Sequence, residues 1–547
     1  MSRNKSEQQL VEQLYQQMVR VIGETNGITI SDTLELLSYA AQIKDQPELD
    51  RLLREFRRLL AGYHQSEVEI TTLLAHPCSD ALGLFFHRFP LRFYEEHIHL
   101  TGSLTADFIY PRLKRLLEGK NKGIYRKKII EVYGEDALPI SSVEDVERLI
   151  TLKKGEQFTT YLRILYLTKL ILTTKKAHQD AAYHLASHLY DNFNIGHLRL
   201  KFTLSRITKM SGEEIPGLSR LKEEDVVLGL YQGMIKFQQE HPDFTFTLSP
   251  SFRKEKDFYD QERFESKEQH FLHQVQQILS MIEKHPHLAS SITEVDTVGE
   301  ETGFYRKRHF ATMKRGLRRL QYRGLKIRSH HGESWPTLRQ GIQAVDNAMN
   351  IWHINTLEHG LSLGINPNYY FHRFYQRVLQ INQKGEAITK GRPEYDELMD
   401  LEWSDNTVRA KLIKGVPLDP SEQTLLLKSK FYTAREIEHY QHDVLNRMIQ
   451  KKVSLVALPS SNLKLTGRFP DYKDHPFSWW EKKGVALGVG TDNYVTLSTN
   501  FIQELLILLY SDQENLKITK LLMVATKEDR RPYISRLLWQ MRKQAVE

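Results

Sequence analysis

His97 and His99 stand one residue apart in Tyr94-Glu95-Glu96-His97-Ile98-His99-Leu100-Thr101-Gly102-Ser103. The segment reads as a β-strand, so alternation places both imidazoles on one face, where they can hold a metal ion between them. A strand histidine can equally well bond only a backbone carbonyl, so the pair alone leaves both readings open. Three later segments carry what a metal centre still needs, each where a strand runs into a loop: Ser329-His330-His331-Gly332-Glu333, Leu357-Glu358-His359-Gly360 and Gly490-Thr491-Asp492-Asn493. A divalent cation held by such groups lowers the pKa of bound water to about 7 and so supplies hydroxide for hydrolysis at neutral pH. Neutral imidazoles with one carboxylate suit zinc better than calcium or magnesium.

Positioning these residues requires strands that end on one side of the molecule. Eight short apolar or alternating segments recur between helical stretches: Glu95 to Leu100, Gly196 to Phe202, Phe244 to Leu248, Ile292 to Val298, Leu325 to Ser329, Ile351 to Leu357, Ser454 to Leu458, and Val485 to Val489. Strand and helix in alternation is the pattern of a parallel sheet. Eight such units predict an α/β fold, a (β/α)8 TIM-type barrel, whose active sites sit at the C-terminal strand ends.

The barrel does not account for the whole chain, since about 250 residues suffice for one and this chain has 547. Residues 1–90 carry helical periodicity, with Leu10, Val11, Leu14, Met18 and Val21 on one face and Leu52, Leu53, Phe56, Leu59 and Leu60 on another. They predict an N-terminal extension of three or four helices, with Ser31-Asp32 and Ser66-Glu67 as caps. The barrel then occupies 91–367 and 453–547. A helical insertion between strands six and seven fills 368–452, with helices over Tyr369 to Ile381 and Ala434 to Ile449. The link from strand one to strand two is also long and includes the Lys-rich piece Lys120 to Lys128.

Composition excludes several classes. Hydrophobic residues make up 40% and charged residues 26%, ordinary for a globular protein, and no apolar run approaches the roughly 18 to 20 residues that span a bilayer. The lone Cys78 excludes an internal disulfide, and the N-terminus has no secretory apolar core, so a cytoplasmic location is expected. The net charge of +8 is modest for this length and predicts no direct nucleic-acid binding. Its distribution is uneven. Gly303 to Ser329 holds ten Lys or Arg residues and no Asp or Glu.

In chain order, His97 and His99, His330 to Glu333, His359-Gly360, Ser460-Ser461-Asn462 and Thr491-Asp492-Asn493 resemble the motif set of the adenosine deaminase family. The resemblance runs from about Glu95 to Asn493, in short motifs with dissimilar stretches between them. It implies a single Zn2+ per chain, held by His97, His99, His330 and Asp492. It also implies general acid catalysis by Glu333 at a purine ring nitrogen, and a role for His359 in positioning the attacking water and stabilising charge. Asp492 would also accept a proton from that water, Gly299 would meet purine N3 through its backbone N–H, and the Ser460-Ser461-Asn462 segment would organise the site by hydrogen bonds. His331 and His353 match no family role and are expected to be packing or surface residues.

Two departures bear on substrate. Thr101 stands where most adenosine deaminases have the Asp that touches the ribose 5′-hydroxyl, and Asn493 stands where they have a second Asp that donates to purine N7; an Asn amide can donate there as well. With Arg306 and Arg308 following Gly299, and Arg253 and Lys254 following strand three, the active face is expected to bind the phosphate of a nucleotide, since guanidinium forks match phosphate oxygens. The implied reaction is hydrolytic deamination of an adenine nucleoside or nucleotide to the inosine form and ammonia. The alternatives are adenine itself or another aminated ring as substrate, or an inactive barrel serving as an assembly scaffold. The large helical additions are similar to those of bacterial phage-defence deaminases, which implies a homo-oligomer and a partner protein of a defence system.

Overall fold

A computed structural model describes residues 5–25, 28–153, 155–156, 158–204, 215–513 and 516–528. Eight parallel strands form one sheet in sequential order: β1 (Phe93–His99), β2 (Ile195–Thr203), β3 (Thr245–Arg253), β4 (Glu294–Val298), β5 (Lys326–His331), β6 (Thr356–His359), β7 (Ser454–Ala457) and β8 (Leu487–Val489). The last strand returns to the first just past its own end. His99 N donates to Asp492 O and Asp492 N donates to His97 O, each at 2.8 Å. This is the expected TIM-type barrel, and its closure sets Asp492 beside the two β1 histidines.

Most strands are buried on both faces, as parallel strands under helices must be, yet the barrel interior is ionic. Arg199, Lys201, Arg328 and Lys527 meet Glu96, Glu294, Asp296 and Glu358, four cations against four carboxylates. Buried charges survive only when paired and hydrogen-bonded, and here every carboxylate has a cationic partner.

Three expectations about elements need correction. β6 does not begin at Ile351; Ala348–Trp352 instead prolong the preceding helix as a π-helical turn, and His353 takes a left-handed conformation with φ 52°. A short apolar run such as Ile351-Trp352 reads the same as a buried helix end or a strand. β3 runs past Leu248 to Arg253, through Pro250, a residue that rarely sits inside a central strand. The N-terminal extension has five helices among the described residues: Lys5–Glu24, Ile30–Ile43, Pro47–His64, Ile70–Leu74 and Pro77–His87.

The caps also differ. Ser31 lies within the second helix, whose cap is Thr29: its hydroxyl accepts from Asp32 N at 3.1 Å while the Asp32 carboxylate accepts from Thr29 N. The spacing of Thr29 and Asp32 is that of a capping box. Ser66 is left-handed, φ 66°, in the turn that ends the third helix, and its hydroxyl accepts from Lys473 Nζ at 2.6 Å. The extension is thereby tied to the far end of the chain, as it is where His64 bonds Tyr510 O and Ser79 bonds the Tyr510 hydroxyl.

The segment 368–452 contains the helices Pro367–Gln383, Pro393–Asp400, Asn406–Lys414 and Pro420–Gln450. The last of these lies along the barrel. Gln441 donates to Ser362 O and Ile365 O, both at 2.9 Å, and Arg447 pairs with Asp346. Residues 529–547 of the C-terminal part lie outside the described residues.

Candidate active site

β1 carries His97 and His99 to the C-terminal mouth of the barrel, where His97 Nε2 lies 3.1 Å from His99 Nε2. His330, near the end of β5, joins them, and one nitrogen from each of the three rings falls within 4.8 Å of the others. Two carboxylates stand behind the rings. Glu358 meets His97 Nδ1 at 2.8 Å, and Asp296 meets His330 Nδ1 at 3.1 Å. His97 and His330 therefore each donate Nδ1–H to a carboxylate and turn Nε2 inward, the arrangement that fixes a metal-ligating tautomer. Lys201 Nζ bridges the two carboxylates, 2.7 Å from Asp296 and 2.9 Å from Glu358.

The electrostatics fit a cation. Burial, reinforced by the nearby Lys201 ammonium, holds His97 and His330 well below the usual imidazole range and takes His99 down to about 3. All three are neutral at pH 7, as ligation requires. His330 Nε2 is buried without a hydrogen-bond partner among the described residues, an unsatisfied acceptor that a metal would satisfy. Asp492 lies at the edge of the cluster, with Oδ1 3.5 Å from His99 Nε2 and 3.7 Å from His97 Nε2. Burial raises its carboxyl to about 6 despite the opposing pull of His359. These residues fit a divalent metal with nitrogen and oxygen donors.

Both His359 and Asp492 have left-handed backbones, φ 68° and 67°. Such conformations cost about 1–3 kcal/mol each in non-glycine residues and gather at functional sites. His359 Nε2 lies 3.8 Å from Glu333 Oε2, and its Nδ1 bonds Asn462 Oδ1 at 2.9 Å. Burial pulls the His359 imidazole down, but the Glu333 and Asp492 carboxylates outweigh it and raise the group overall. Ser461 donates to Asp492 Oδ2 at 2.6 Å.

These side chains open into one cavity of about 320 Å3, within the range of roughly 300–1,000 Å3 usual for small-molecule sites. His99, Thr101, Gly299, His330, Glu333, His359 and Asp492 line it, facing an apolar wall that includes Leu165, Phe202, Leu221 and Phe258. Gly299 has φ 106°, and a Cβ there would meet the Glu255 carboxylate at 2.3 Å, so only glycine fits.

Arg306 and Arg308 are not in the cavity wall. Both are exposed at the start of the helix Lys307–Tyr322, where Arg306 leans on Tyr305 and Arg308 on His309. Among the described residues neither is paired with a carboxylate, and both face solvent. Among the described residues the lysine and arginine side chains that line the cavity are Lys169, Arg253 and Lys201, the last held by Asp296 and Glu358. Asn493 also turns away from it. The amide is fully buried and donates to Asp492 Oδ1 at 2.7 Å and to the Tyr161 hydroxyl at 2.6 Å, while Tyr161 itself reaches the cavity. His331 packs against Phe310 and Trp352, and His353 is exposed.

Several site residues escaped the sequence reading. Glu301 accepts the backbone N–H groups of Gly332, Glu333 and Ser334 at 2.8, 2.9 and 3.1 Å, and so cradles the loop that carries Glu333. Asp296, Glu358 and Lys201 form the support under the histidines. Their signal was present: each is a charged residue inside a strand otherwise buried on both faces, which demands a buried partner.

The chain matches no protein-family model and no curated protein sequence. It is similar in structure to the adenine deaminase of Arthrobacter aurescens, with a TM-score of 0.50 and 14% identity over 83% of this chain and 99% of that one. The N6-methyl-AMP deaminase from Arabidopsis thaliana gives a TM-score of 0.46 and 13% identity over 82% and 96%. At 14% identity the likeness to the adenine deaminase shows a shared barrel fold.

Proposed function

We propose that this protein is a zinc-dependent deaminase of an adenine nucleoside or nucleotide, releasing ammonia and the hypoxanthine product. The observation that carries the reading is the convergence of three neutral imidazoles, backed by carboxylates, beside Glu333 and His359 in one cavity. His97, His99, His330 and Asp492 would hold the metal, which when bound lowers the pKa of water to about 7. Glu333 delivers a proton to the ring nitrogen next to the aminated carbon, drawing charge from that carbon as water attacks it. His359 orients the water and stabilises the negative charge that develops on the carbon's new oxygen. Asp492 accepts the water's proton and passes it to the amino group, the C–N bond breaks, ammonia leaves, and the proton of the carbon's new hydroxyl returns to Glu333.

Lys169 and Arg253 favour a phosphorylated substrate within this class. Arg253 is paired with Glu255 and stacks over Phe258, while burial lowers Lys169 to about 8. An anionic group entering the cavity would meet both.

Zinc-loaded protein supplied in parallel with adenosine, deoxyadenosine, AMP and dAMP tests both levels. The expected result is a fall in absorbance at the adenine maximum with stoichiometric ammonia, faster for the monophosphates. Glu333→Gln is expected to lower kcat at least 100-fold with metal content unchanged. No ammonia from any of the four removes the deaminase reading for these substrates, and faster turnover of the unphosphorylated pair removes the nucleotide preference.

A further inference from the structure

The hydrogen bonds that hold His359 continue one residue beyond the cavity wall. His359 Nδ1 meets Asn462 Oδ1 at 2.9 Å, and Asn462 Nδ2 meets His475 Nε2 at 3.2 Å. His475 does not reach the catalytic cavity. It borders a separate one of about 330 Å3, between the helices Pro420–Gln450, Phe477–Lys482 and Phe501–Ser511. Its ring stands edge-on to Phe469 and Trp480, with centroids 6.0 and 5.6 Å away, and its Nδ1 is buried with no hydrogen-bond partner among the described residues.

An asparagine amide has one accepting end and one donating end, so a partner fixed at one end decides what the other end offers. Burial takes His475 down to about 3, so the ring is neutral, and with its one proton on Nδ1 it accepts the Asn462 N–H at Nε2. With its N–H engaged there, Asn462 presents Oδ1 to His359, which must carry its proton on Nδ1. His359 thus keeps a proton on Nδ1 whatever the state of its Nε2, which faces Glu333 and the cavity and is free to carry a second proton there. A reversed amide would put its N–H against His359 Nδ1 and force the imidazole proton round to Nε2.

We infer that His475 is a positioning residue for the reaction: by accepting the Asn462 amide N–H it fixes the orientation of that amide and, through it, the proton on His359 Nδ1 and the direction of that ring. The inference rests on the reading of His359 as a member of the active site. It places part of the catalytic machinery in a residue that never touches substrate.

Three replacements separate this role from packing. His475→Gln keeps an acceptor near the place of Nε2, whereas His475→Asn is too short to reach Asn462 and His475→Leu has no acceptor. In zinc-loaded protein with the best substrate of the panel, His475→Gln is expected to stay within threefold of the parent kcat. His475→Asn and His475→Leu should lose tenfold or more in kcat, with KM within twofold and metal content unchanged. In an Asn462→Ala background, replacing His475 should cost less than twofold further, since residues acting through one contact are not additive. Equal activity of the Gln and Asn variants, or full additivity with Asn462→Ala, would overturn the inference; if the Leu variant does not fold, the Gln and Asn pair decides. A parent enzyme with no turnover on any substrate instead sinks the deaminase reading, which the panel alone reports.

Discussion

Lys201 is the residue on which the metal cluster's support converges. It is fully buried, and its single ammonium is shared by Asp296 and Glu358, the carboxylates that orient His330 and His97. Removing one partner from a buried ionic group leaves uncompensated charge and typically costs about 3–5 kcal/mol. Lys201→Met is therefore expected to lower stability by about that amount in chemical denaturation. Zinc affinity should fall about 10- to 100-fold, as is usual when the groups behind a metal's ligands are disturbed. A variant within about 1 kcal/mol of the parent would show that Arg328, the other cation on Glu358, carries the load alone. At this scale the histidines and Glu333 were legible because their types and strand-end positions speak directly of chemistry. Lys201, Asp296 and Glu358 were not, because a charge in a strand announces only that it needs a partner, and the partner sits on another strand.

Elements bring those partners together, and one contact shows how the helical insertion is coupled to the barrel. Glu397, in the helix Pro393–Asp400, accepts from Leu338 N at 2.7 Å and from the Tyr370 hydroxyl at 2.6 Å, joining that helix to the start of the barrel helix Leu338–Asn347. Burial raises its carboxyl to about 7 against an ordinary 4.5. The folded state thus holds a proton that the unfolded chain releases near pH 4.5. The contribution is complete below that pH and is lost as pH rises through about 7. Glu397→Gln keeps an acceptor for Leu338 N and carries no charge, so its stability relative to the parent is expected to improve from pH 5 to about pH 7 and to level off above it. Parallel denaturant curves across that range check it, and a difference that does not change with pH would count against the buried carboxyl. Sequence patterning anticipated all eight strands and the first and last helices of this insertion, but not Pro393–Asp400 and Asn406–Lys414 in its polar middle. It misplaced the start of β6 and two helix caps, where an apolar pair or a single serine suits two conformations and only the surrounding packing chooses between them.

Across the whole molecule, the group of side chains proposed to hold the metal is a clasp on the barrel's own closure. Its side chains come from β1, from β5 and from the segment after β8, so the first and last strands meet there, where His97 and His99 exchange backbone hydrogen bonds with Asp492. The sequence order predicted eight strands in a ring, but where the N-terminal helices dock depends on contacts with residues such as Lys473 and Tyr510, some four hundred positions away, and no local pattern encodes those. A ligand that binds only the closed barrel stabilises it by mass action, by about 2.7 kcal/mol when free zinc is 100 times its dissociation constant. Chelator-treated protein is therefore expected to melt several degrees below the zinc-loaded form, with the gap growing as zinc is raised. His99→Ala and His330→Ala should flatten that dependence, because each removes a donor from the cluster while leaving the strand hydrogen bonds in place. If zinc raises the melting temperature of both variants as much as that of the parent, the ion binds elsewhere and the clasp is not made by these histidines.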